Sequence, residues 1–281
     1  MPKKSPFLVS PNWLHSNLDD PELAIVDASW HLPTSKRDGR EEYEQQHIPG
    51  AVFFDIEAIS DPASDLPHTL ASPEHFAEQV GNLGISEDQK IVVYDSIGLF
   101  SAPRVWWNFR IMGAKNVFVL DGGLPAWIKE RLPVNPGNPA LPQKTFTPNF
   151  EPETVVSFEE MLDAVKNNSC TIADARPTAR FTGEEAEPRE GMKSGHMPGA
   201  KSLPASSLQK DGMLLLVPEL RQVLEKANIT ADDPVITTCG SGVTAATIVL
   251  ALASIGHTNH RLYDGSWSQW GSRDDTPIET G

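Results

Sequence analysis

HIPGA at residues 47–51 recurs as HMPGA at residues 196–200, so the chain repeats one five-residue pattern 149 positions later. A Pro-Gly pair inside such a pattern marks a turn, because proline sets one backbone dihedral and glycine tolerates unusual values at the next. Further pairs occur in the same order in both halves: residues 25–28 (IVDA) with 172–175 (IADA), 91–95 (IVVYD) with 235–239 (VITTC), and 121–123 (DGG) with 264–266 (DGS). Solenoid repeats are only about 20–45 residues long, so this spacing indicates a duplicated domain.

A proline-rich segment between the two copies marks the predicted boundary. Proline is disfavoured inside helices and central strands, and five prolines fall within sixteen residues here: Pro133, Pro136, Pro139, Pro142 and Pro148. We therefore predict an N-terminal domain at residues 1–132, a linker at 133–150 and a C-terminal domain at 151–281. The total length of 281 residues agrees with two domains of about 150 residues.

Within each half, short runs rich in β-branched residues alternate with stretches of helical pattern. The predicted strands are residues 23–26, 91–94, 117–120, 170–173, 235–238 and 261–263. The predicted helices are residues 73–83, 102–112, 157–166, 217–227 and 243–255, and Gly84, Gly113 and Gly256 are C-terminal stop signals. Alternating strands and helices favour an α/β fold in which a mainly parallel central sheet carries helices on both faces.

Composition and charge exclude several classes of protein. Lys and Arg number 23 against 38 Asp and Glu, and the net charge of −15 repels the phosphate backbone of nucleic acids. Two cysteines, Cys170 and Cys239, exclude a disulfide framework and a multi-cysteine metal site. The apolar run at residues 7–9 is too short for a signal-peptide core of about 7–15 residues, and no run approaches the roughly 20 residues of a membrane span. We therefore expect a cytoplasmic protein without nucleic-acid or membrane partners.

The sequence TTCGSGVTAA at residues 237–246 places a cysteine directly after a predicted buried strand. A six-residue loop, CGSGVT at 239–244, then leads into an apolar helix. Ligands of open parallel sheets bind at this end of the strands, where two glycines leave backbone N–H groups accessible and the helix N-terminus carries about half a positive charge. These surroundings favour a thiolate at Cys239. The alternative interpretation is a buried structural thiol, which is the commoner fate of free cysteine.

Two kinds of chemistry use a cysteine in such a loop, and the residue six positions later separates them. A cysteine phosphatase needs an arginine there to bind the phosphate, whereas this chain has Ala245. The loop can instead hold one additional sulfur atom, as a persulfide whose charge is shared among backbone amides. Sulfur transfer is therefore favoured over phosphate-ester hydrolysis.

The repeated halves, the H-x-P-G-A motifs, the DG-containing ends and the cysteine loop together resemble the two-domain rhodanese superfamily over nearly the whole chain. The resemblance implies two tandem rhodanese-like domains with the active site in the cleft between them. Thiosulfate-specific members carry basic residues in the loop, whereas the neutral CGSGVT is similar to the loop of the 3-mercaptopyruvate sulfurtransferases. By this resemblance, the substrate-binding residues of the loop are Gly240, Gly242, Val243 and Thr244.

A neutral loop leaves the carboxylate of an α-keto acid to be bound elsewhere. Arg180 and Arg189 are candidates, because one planar guanidinium binds a carboxylate through two hydrogen bonds and a second can polarise the ketone. The resemblance assigns substrate contacts to the arginines at these two motif positions. The alternative for either arginine is a surface salt bridge with the glutamates that surround it.

The first half carries Asp95 where the second carries Cys239, and a carboxylate cannot act as the sulfur nucleophile. The N-terminal domain is therefore predicted to be catalytically silent and to form one wall of the active-site cleft. The resemblance also implies a catalytic relay of Ser241, His68 and Glu57, in which His68 would supply a proton to the departing enolate. The family's usual acid is aspartate, so Glu57 departs from the pattern. A loop histidine such as His68 is equally compatible with a simply solvated side chain.

The remaining polar motif residues are interpreted as scaffold. His47 and His196 precede Pro-Gly turns, where a structural hydrogen bond explains them without catalysis. Asp27 and Asp174 end predicted strands, and we expect them to tie loops together through nearby basic groups such as Arg176.

The second cysteine and the tryptophans are assigned to packing. Cys170 is expected to open a core strand as a small hydrophobic residue. Core and interdomain packing, rather than stacking on nucleic-acid bases, is expected for Trp106, Trp107, Trp127, Trp267 and Trp270.

The resemblance implies an enzyme that takes the sulfur of 3-mercaptopyruvate onto Cys239, releases pyruvate and passes the sulfur to cyanide or to a thiol such as thioredoxin. It implies no metal and no organic cofactor. One alternative is a thiosulfate:cyanide sulfurtransferase, against which the absence of Lys and Arg at residues 240–244 argues. Another is a non-enzymatic module that relays or senses persulfide, and a phosphatase is the most distant.

Overall fold

The structure is a computed structural model that describes residues 3–230 and 233–281. Residues 1–2 of the predicted N-terminal domain and 231–232 of the predicted C-terminal domain lie outside the described residues. The strands are β1 (Leu8–Val9), β2 (Leu23–Asp27), β3 (Ala51–Phe53), β4 (Lys90–Tyr94), β5 (Val117–Leu120), β6 (Val155–Val156), β7 (Thr171–Asp174), β8 (Lys201–Ser202), β9 (Gln209–Lys210), β10 (Met213–Leu214), β11 (Val235–Thr238) and β12 (His260–Tyr263). The α-helices are α1 (Pro11–His15), α2 (Gly39–Gln45), α3 (Pro73–Asn82), α4 (Ala102–Ile111), α5 (Gly123–Lys129), α6 (Phe158–Asn167), α7 (Thr178–Thr182), α8 (Val217–Lys226), α9 (Ala245–Ser254) and α10 (Ser266–Trp270).

Each half of the chain forms a five-stranded sheet in which neighbouring strands are parallel. The order β1-β5-β4-β2-β3 of the first sheet corresponds to β6-β12-β11-β7-β8 in the second, so the repeated sequence folds into one topology twice. A separate antiparallel hairpin joins β9 and β10. The predicted fold class, α/β with a parallel sheet in each half, is confirmed.

Both faces of each sheet are buried. Successive residues of a strand point to opposite sides of the sheet, and on each side they join a core cluster. In β2, Val26 packs into a cluster with helices α3 and α4, whereas Ile25 packs into another with α1, α2 and α5. In β7, Ala173 joins the cluster of α8 and α9, whereas Ile172 joins α6 and α10. Helices therefore cover both faces, as predicted. In the described part of the chain, no helix is both long and apolar enough to cross a bilayer.

The two halves pack together through α4 and α9, whose apolar residues belong to one continuous cluster. Each half also covers a loop of the other. The segment after β3 brings His68 to Ser241, and the β9–β10 hairpin brings Gln209 to Leu99, where its side-chain amide donates to the backbone carbonyl over 3.2 Å. This exchange places residues that are distant in sequence on one cleft.

Residues 133–150 run along the N-terminal half. Phe146 is buried against Phe76 and Phe109, and the Lys144 N–H donates to the Gly81 carbonyl over 3.0 Å. The role of this segment as a linker, and the domain limits 1–132 and 151–281, stay predictions.

The predicted long elements differ from the structure mainly at their ends. Helix α9 begins at Ala245 rather than 243, because Val243 and Thr244 complete the loop. Strand β7 begins at Thr171, so the expected place of Cys170 inside the strand is wrong. Cys170 is half-buried against the edge of a core cluster, and burial raises the pKa of its thiol.

Candidate active site

Cys239 lies at the carboxyl end of β11 with only 2% of its surface exposed. The first turn of α10 holds its backbone. Trp267 donates its N–H to the Cys239 carbonyl over 2.9 Å, and Ser268 donates its N–H and its hydroxyl to the Gly240 carbonyl over 2.8 and 2.7 Å. The Cys239 N–H points to Ser266 Oγ at 3.4 Å. The start of α10, at the end of the repeated DGS motif, therefore positions the loop that carries the cysteine.

Gly242 provides the turn of the Cys239 loop, which we define as residues 239–244. Its φ of 79° lies in the left-handed region that glycine tolerates. A Cβ atom there would lie 2.8 Å from Arg104 Nη1 and 3.3 Å from the Asp264 carbonyl oxygen, so the close approach also requires glycine. Gly98, three residues after Asp95 just as Gly242 follows Cys239, also has a positive φ, of 126°. The Asp95 loop, residues 95–101, thus shares the turn.

The Asp95 loop shows what such a loop binds. The Asp95 carboxylate accepts five backbone N–H groups over 2.6–3.0 Å, from Ile97, Gly98, Phe100, Ser101 and Ala102. In the Cys239 loop, three corresponding N–H groups have no acceptor within the described residues: those of Ser241, Gly242 and Thr244. Adjacent N–H groups of this kind form an anion-binding concavity.

His68 joins the two halves at the Cys239 loop. Its Nδ1 lies 2.9 Å from Ser241 Oγ, and its Nε2 lies 2.9 Å from Glu57 Oε1. The hydrogen bond from His68 lowers the pKa of Glu57, so the carboxylate is ionised at neutral pH and accepts the Nε2–H. In the tautomer that carries its proton on Nε2, His68 accepts a hydrogen bond from the Ser241 hydroxyl at Nδ1. The structure brings the three predicted residues together, and the interpretation of His68 as a solvated side chain is wrong, because its side chain is fully buried.

Trp30 supports this group but was not predicted from the sequence. Its indole N–H donates to Glu57 Oε1 over 2.9 Å, and its ring meets His68 edge-on at 4.5 Å between centroids. Trp30 also stacks on Phe100 of the Asp95 loop at 6.0 Å. A single tryptophan therefore links the Asp95 loop to His68 and orients Glu57.

Arg189 lies half-buried beside the Cys239 loop. Its Nη1 is 4.0 Å from the point that a Cβ atom on Gly240 would occupy. Burial lowers the pKa of Arg189, while the negative charge of Glu57 opposes that shift. A partly desolvated guanidinium beside the predicted nucleophile can bind an anionic substrate strongly.

Arg180 is held at this cleft by a buried carboxylate. Its Nη1 lies 3.6 Å from Glu187 Oε2, and the Glu187 side chain is only 2% exposed. Glu187 also accepts a hydrogen bond of 2.7 Å from Arg176, which pairs with Asp174 over 2.7 Å and stacks on the Trp267 ring at 4.1 Å. The salt bridge considered for Arg180 therefore exists, but its partner Glu187 is buried and is held in place by Arg176. The sequence pattern did not indicate this role of Glu187.

The scaffold interpretation agrees with the structure. His47 Nδ1 lies 2.8 Å from the Tyr43 carbonyl, and His196 Nδ1 lies 2.9 Å from the Phe181 carbonyl. The predicted contact of Asp174 with Arg176 is confirmed. Asp27 has no basic partner within the described residues and instead accepts the Ser29 N–H, so the expectation of a basic group is wrong there. Burial raises the pKa of Asp27 to about 6.

The predicted packing role of the tryptophans is confirmed. All five side chains are buried: Trp106, Trp107, Trp127, Trp267 and Trp270.

Comparison with known proteins places this site in a family. The sequence pattern of the rhodanese-like domain matches residues 10–130 and 157–273, one match for each half of the chain. The chain belongs to the rhodanese family. Its two sheets are thus two rhodanese-like domains, and Cys239 lies in the second of them.

Relatives of this rhodanese-family chain cover nearly its full length. It is 45% identical over 274 residues to a 3-mercaptopyruvate sulfurtransferase of Escherichia coli (strain K12), an alignment that spans 97% of this chain and 98% of the relative. It is 39% identical to the mitochondrial thiosulfate/3-mercaptopyruvate sulfurtransferase 1 of Arabidopsis thaliana, over 97% of this chain and 78% of that one. The crystal structure of a 3-mercaptopyruvate sulfotransferase from Escherichia coli superimposes with a TM-score of 0.86 at 44% identity, covering 93% of this chain and 98% of the other.

Proposed function

We propose that this rhodanese-family chain takes the sulfur of 3-mercaptopyruvate onto Cys239, releases pyruvate and passes the sulfur to a second nucleophile. One observation carries the proposal: the Cys239 loop repeats the turn with which the Asp95 loop binds a carboxylate, but it presents a thiol in place of that carboxylate. The outer sulfur of a persulfide lies as many bonds from Cβ as a carboxylate oxygen of aspartate does. The loop amides would therefore stabilise its negative charge.

The first step, transfer of sulfur from 3-mercaptopyruvate to Cys239, needs no proton from the solvent. The Cys239 thiolate attacks the sulfur of HS–CH2–CO–COO⁻, an S–S bond forms, and the C–S bond breaks with its electron pair remaining on carbon as the enolate. The proton of the substrate thiol ends on that carbon and gives pyruvate. Ser241, hydrogen-bonded to His68, which Glu57 holds in turn, is placed to carry this proton.

The proposal of 3-mercaptopyruvate rather than thiosulfate as the sulfur donor rests on the charge of the Cys239 loop. Residues 240–244 contain no Lys or Arg, so the loop offers no cation to the dianion thiosulfate. Arg189 and Arg180 suit a substrate with one carboxylate and one ketone oxygen, on which negative charge develops as the C–S bond breaks. The names of the relatives include both donors, so this argument rests on the residues of the loop.

The second step transfers the outer sulfur to cyanide in vitro or to a thiol, for which a thioredoxin-like protein is the predicted partner. The acceptor thiolate attacks the outer sulfur and releases the Cys239 thiolate. The identity of the physiological acceptor and the cytoplasmic location stay predictions. A persulfide relay module without its own donor reaction is the alternative from another class.

Intact-mass spectrometry tests the proposal. The protein and its Cys239→Ser variant are exposed separately to 3-mercaptopyruvate and to thiosulfate, and pyruvate is assayed in the same samples. We expect the mass of one sulfur atom to be gained from 3-mercaptopyruvate, with pyruvate released, and no gain in the variant. Loading by thiosulfate alone would favour the thiosulfate:cyanide reaction, and loading by neither donor would favour the relay module.

A further inference from the structure

Arg104 is a buried cation of the N-terminal domain that reaches into the C-terminal one. It lies in the first turn of α4, with only 1% of its side chain exposed. Its Nη2 donates to Asp264 Oδ1 over 2.6 Å and to the His68 carbonyl over 2.8 Å. Its Nη1 lies 3.5 Å from the Gly242 carbonyl, and its guanidinium lies over the Trp107 ring at 4.7 Å.

Arg104 thus contacts the backbone at both partners of the hydrogen bond between His68 and Ser241, at His68 itself and at Gly242, which follows Ser241. His68 has a φ of 60°, an uncommon conformation for a residue other than glycine, and Arg104 binds the carbonyl of that residue. The other oxygen of Asp264 accepts the Leu70 N–H over 2.7 Å. One ion pair therefore holds the His68 segment at two points and lies against the turn of the Cys239 loop.

This arrangement is not part of the duplicated pattern. The position that corresponds to Arg104 in α9 is Thr247, and Asp121, which corresponds to Asp264, pairs with Lys4 instead. An arginine inside the apolar helix α4 is thus a feature of the N-terminal domain alone. Its two strongest contacts both lead to the segment that carries His68.

We propose that Arg104 is a positioning residue, which fixes the His68 backbone against the Cys239 loop so that His68 Nδ1 meets Ser241 Oγ. The inference rests on the proposed function, because it takes His68 as part of the proton transfer. The N-terminal domain then contributes to catalysis in two ways, through His68 and Glu57 and through the group that places them. Lysine would keep the charge but cannot bind two acceptors from one rigid plane.

Steady-state kinetics of pyruvate release from 3-mercaptopyruvate test the proposal. We expect Arg104→Lys to lower kcat about tenfold and to leave KM within about twofold, because Arg180 and Arg189 lie in the other domain. In a His68→Asn background, the same change should alter kcat by less than about twofold, since it acts through His68. A tenfold loss that persists in the His68→Asn background, or no loss in the single variant, would overturn the proposal.

The chain offers a matched control in α4. Arg110 also stacks on aromatic rings, those of Phe7 and Trp106 at 4.8 and 5.2 Å, but it has no contact with His68 or the Cys239 loop within the described residues. Arg110→Lys should leave kcat, KM and the double-variant behaviour unchanged. Should Arg104→Lys not fold, Asp264→Asn perturbs the same contact from the other side and should show the same dependence on His68.

Crystal structures of Arg104→Lys and Arg110→Lys separate this proposal from the proposed function. The hydrogen bond between His68 and Ser241 should be lost in the first variant and kept in the second. An intact bond in Arg104→Lys contradicts the positioning role whatever the activity. If the unaltered protein releases no pyruvate, the proposed function fails, and the crystal structures still decide what Arg104 does.

Discussion

The Asp95 loop and the Cys239 loop follow corresponding strands, β4 and β11, and lead into the two helices that pack at the domain interface. Both turn at a glycine three residues after their first residue. In the first loop the side chain that meets the amides is a carboxylate, bound by five N–H groups. In the second it is a thiol, which becomes comparable only when it carries a second sulfur. The duplicated fold thus supplies an anion-binding loop twice, and one side chain decides whether that loop takes part in chemistry.

The segments that cover the two loops also differ. A Cβ atom on Gly98 would lie 2.8 Å from Gly212 Cα, so the β9–β10 hairpin closes the Asp95 loop with backbone. The Cys239 loop instead meets the imidazole of His68 and the guanidinium of Arg189. Catalytic capacity therefore depends on the residues that cover the loop as much as on the loop itself.

Exchanging the side chains of the two loops should give the largest effect. Cys239→Ser should lower turnover by more than about 10⁴-fold, because no other group on the chain has been placed to accept the sulfur. Asp95→Cys should gain no persulfide from 3-mercaptopyruvate, because Gly212 covers that loop and because Arg40, which corresponds to Arg189, pairs with Asp55 and lies over the Phe53 ring instead. Intact mass and pyruvate release measure both. Sulfur loading at position 95 in the Asp95→Cys, Cys239→Ser double variant would show that the cover does not matter.

Removing the anion from the silent loop should destabilise the fold. Asp95→Asn places an amide group against N–H donors, and we expect the free energy of unfolding to fall by about 3 kcal/mol. The KM for 3-mercaptopyruvate should change by less than about twofold, since Arg180 and Arg189 lie in the other domain and neither pairs with Asp95 within the described residues. Urea unfolding followed by fluorescence measures the first quantity. An unchanged midpoint would mean that the five N–H contacts contribute little.

The arginine beside the Cys239 loop should act mainly on substrate binding. Arg189→Gln should raise KM for 3-mercaptopyruvate about 30-fold, because a charge-assisted bidentate contact becomes a neutral hydrogen bond. Arg189→Lys should recover only part of the loss, since an ammonium lacks the planar fork. Initial rates at several substrate concentrations test this. A loss confined to kcat would place Arg189 in transition-state stabilisation instead.

The smallest expected effect is a pH-dependent difference in stability between substitutions of the two strand-end aspartates, Asp27 and Asp174. Burial raises the folded-state pKa of Asp27 to about 6, above its ordinary value of 3.8, so ionisation costs stability as pH rises through about 6. Asp27→Asn should therefore raise the free energy of unfolding by about 1 kcal/mol at pH 8, and the gain should fall to roughly half at pH 5, which lies between the ordinary and the folded-state pKa of Asp27. Thermal unfolding at both pH values measures it.

Asp174→Asn is the matched control for the Asp27 substitution. It should destabilise the protein at both pH values, because Arg176 would lose the carboxylate that binds it. Equal behaviour of Asp27→Asn and Asp174→Asn would show that the missing basic partner of Asp27 is unimportant.

Local patterns predicted the long elements and the position of Cys239 at a strand end, but not the groups that arrive from the other domain. The run VITT followed by CGSG was enough to place Cys239 at a strand end before a helix, and only the start of α9 was shifted. His68 and Glu57 were predicted through family resemblance, because no spacing rule joins His68 to Ser241 across 173 residues. Arg104 gave one local signal, a charge within an apolar helix, but its partner Asp264 lies 160 residues away.

The structure of the sulfur-loaded protein tests the central claim most directly, namely that the Cys239 loop binds a persulfide as the Asp95 loop binds its carboxylate. After exposure to 3-mercaptopyruvate, a crystal structure should show the outer sulfur on Cys239 within hydrogen-bonding distance of the N–H groups of Ser241, Gly242 and Thr244. An outer sulfur turned away from these amides, or sulfur found on Cys170 instead, would contradict it.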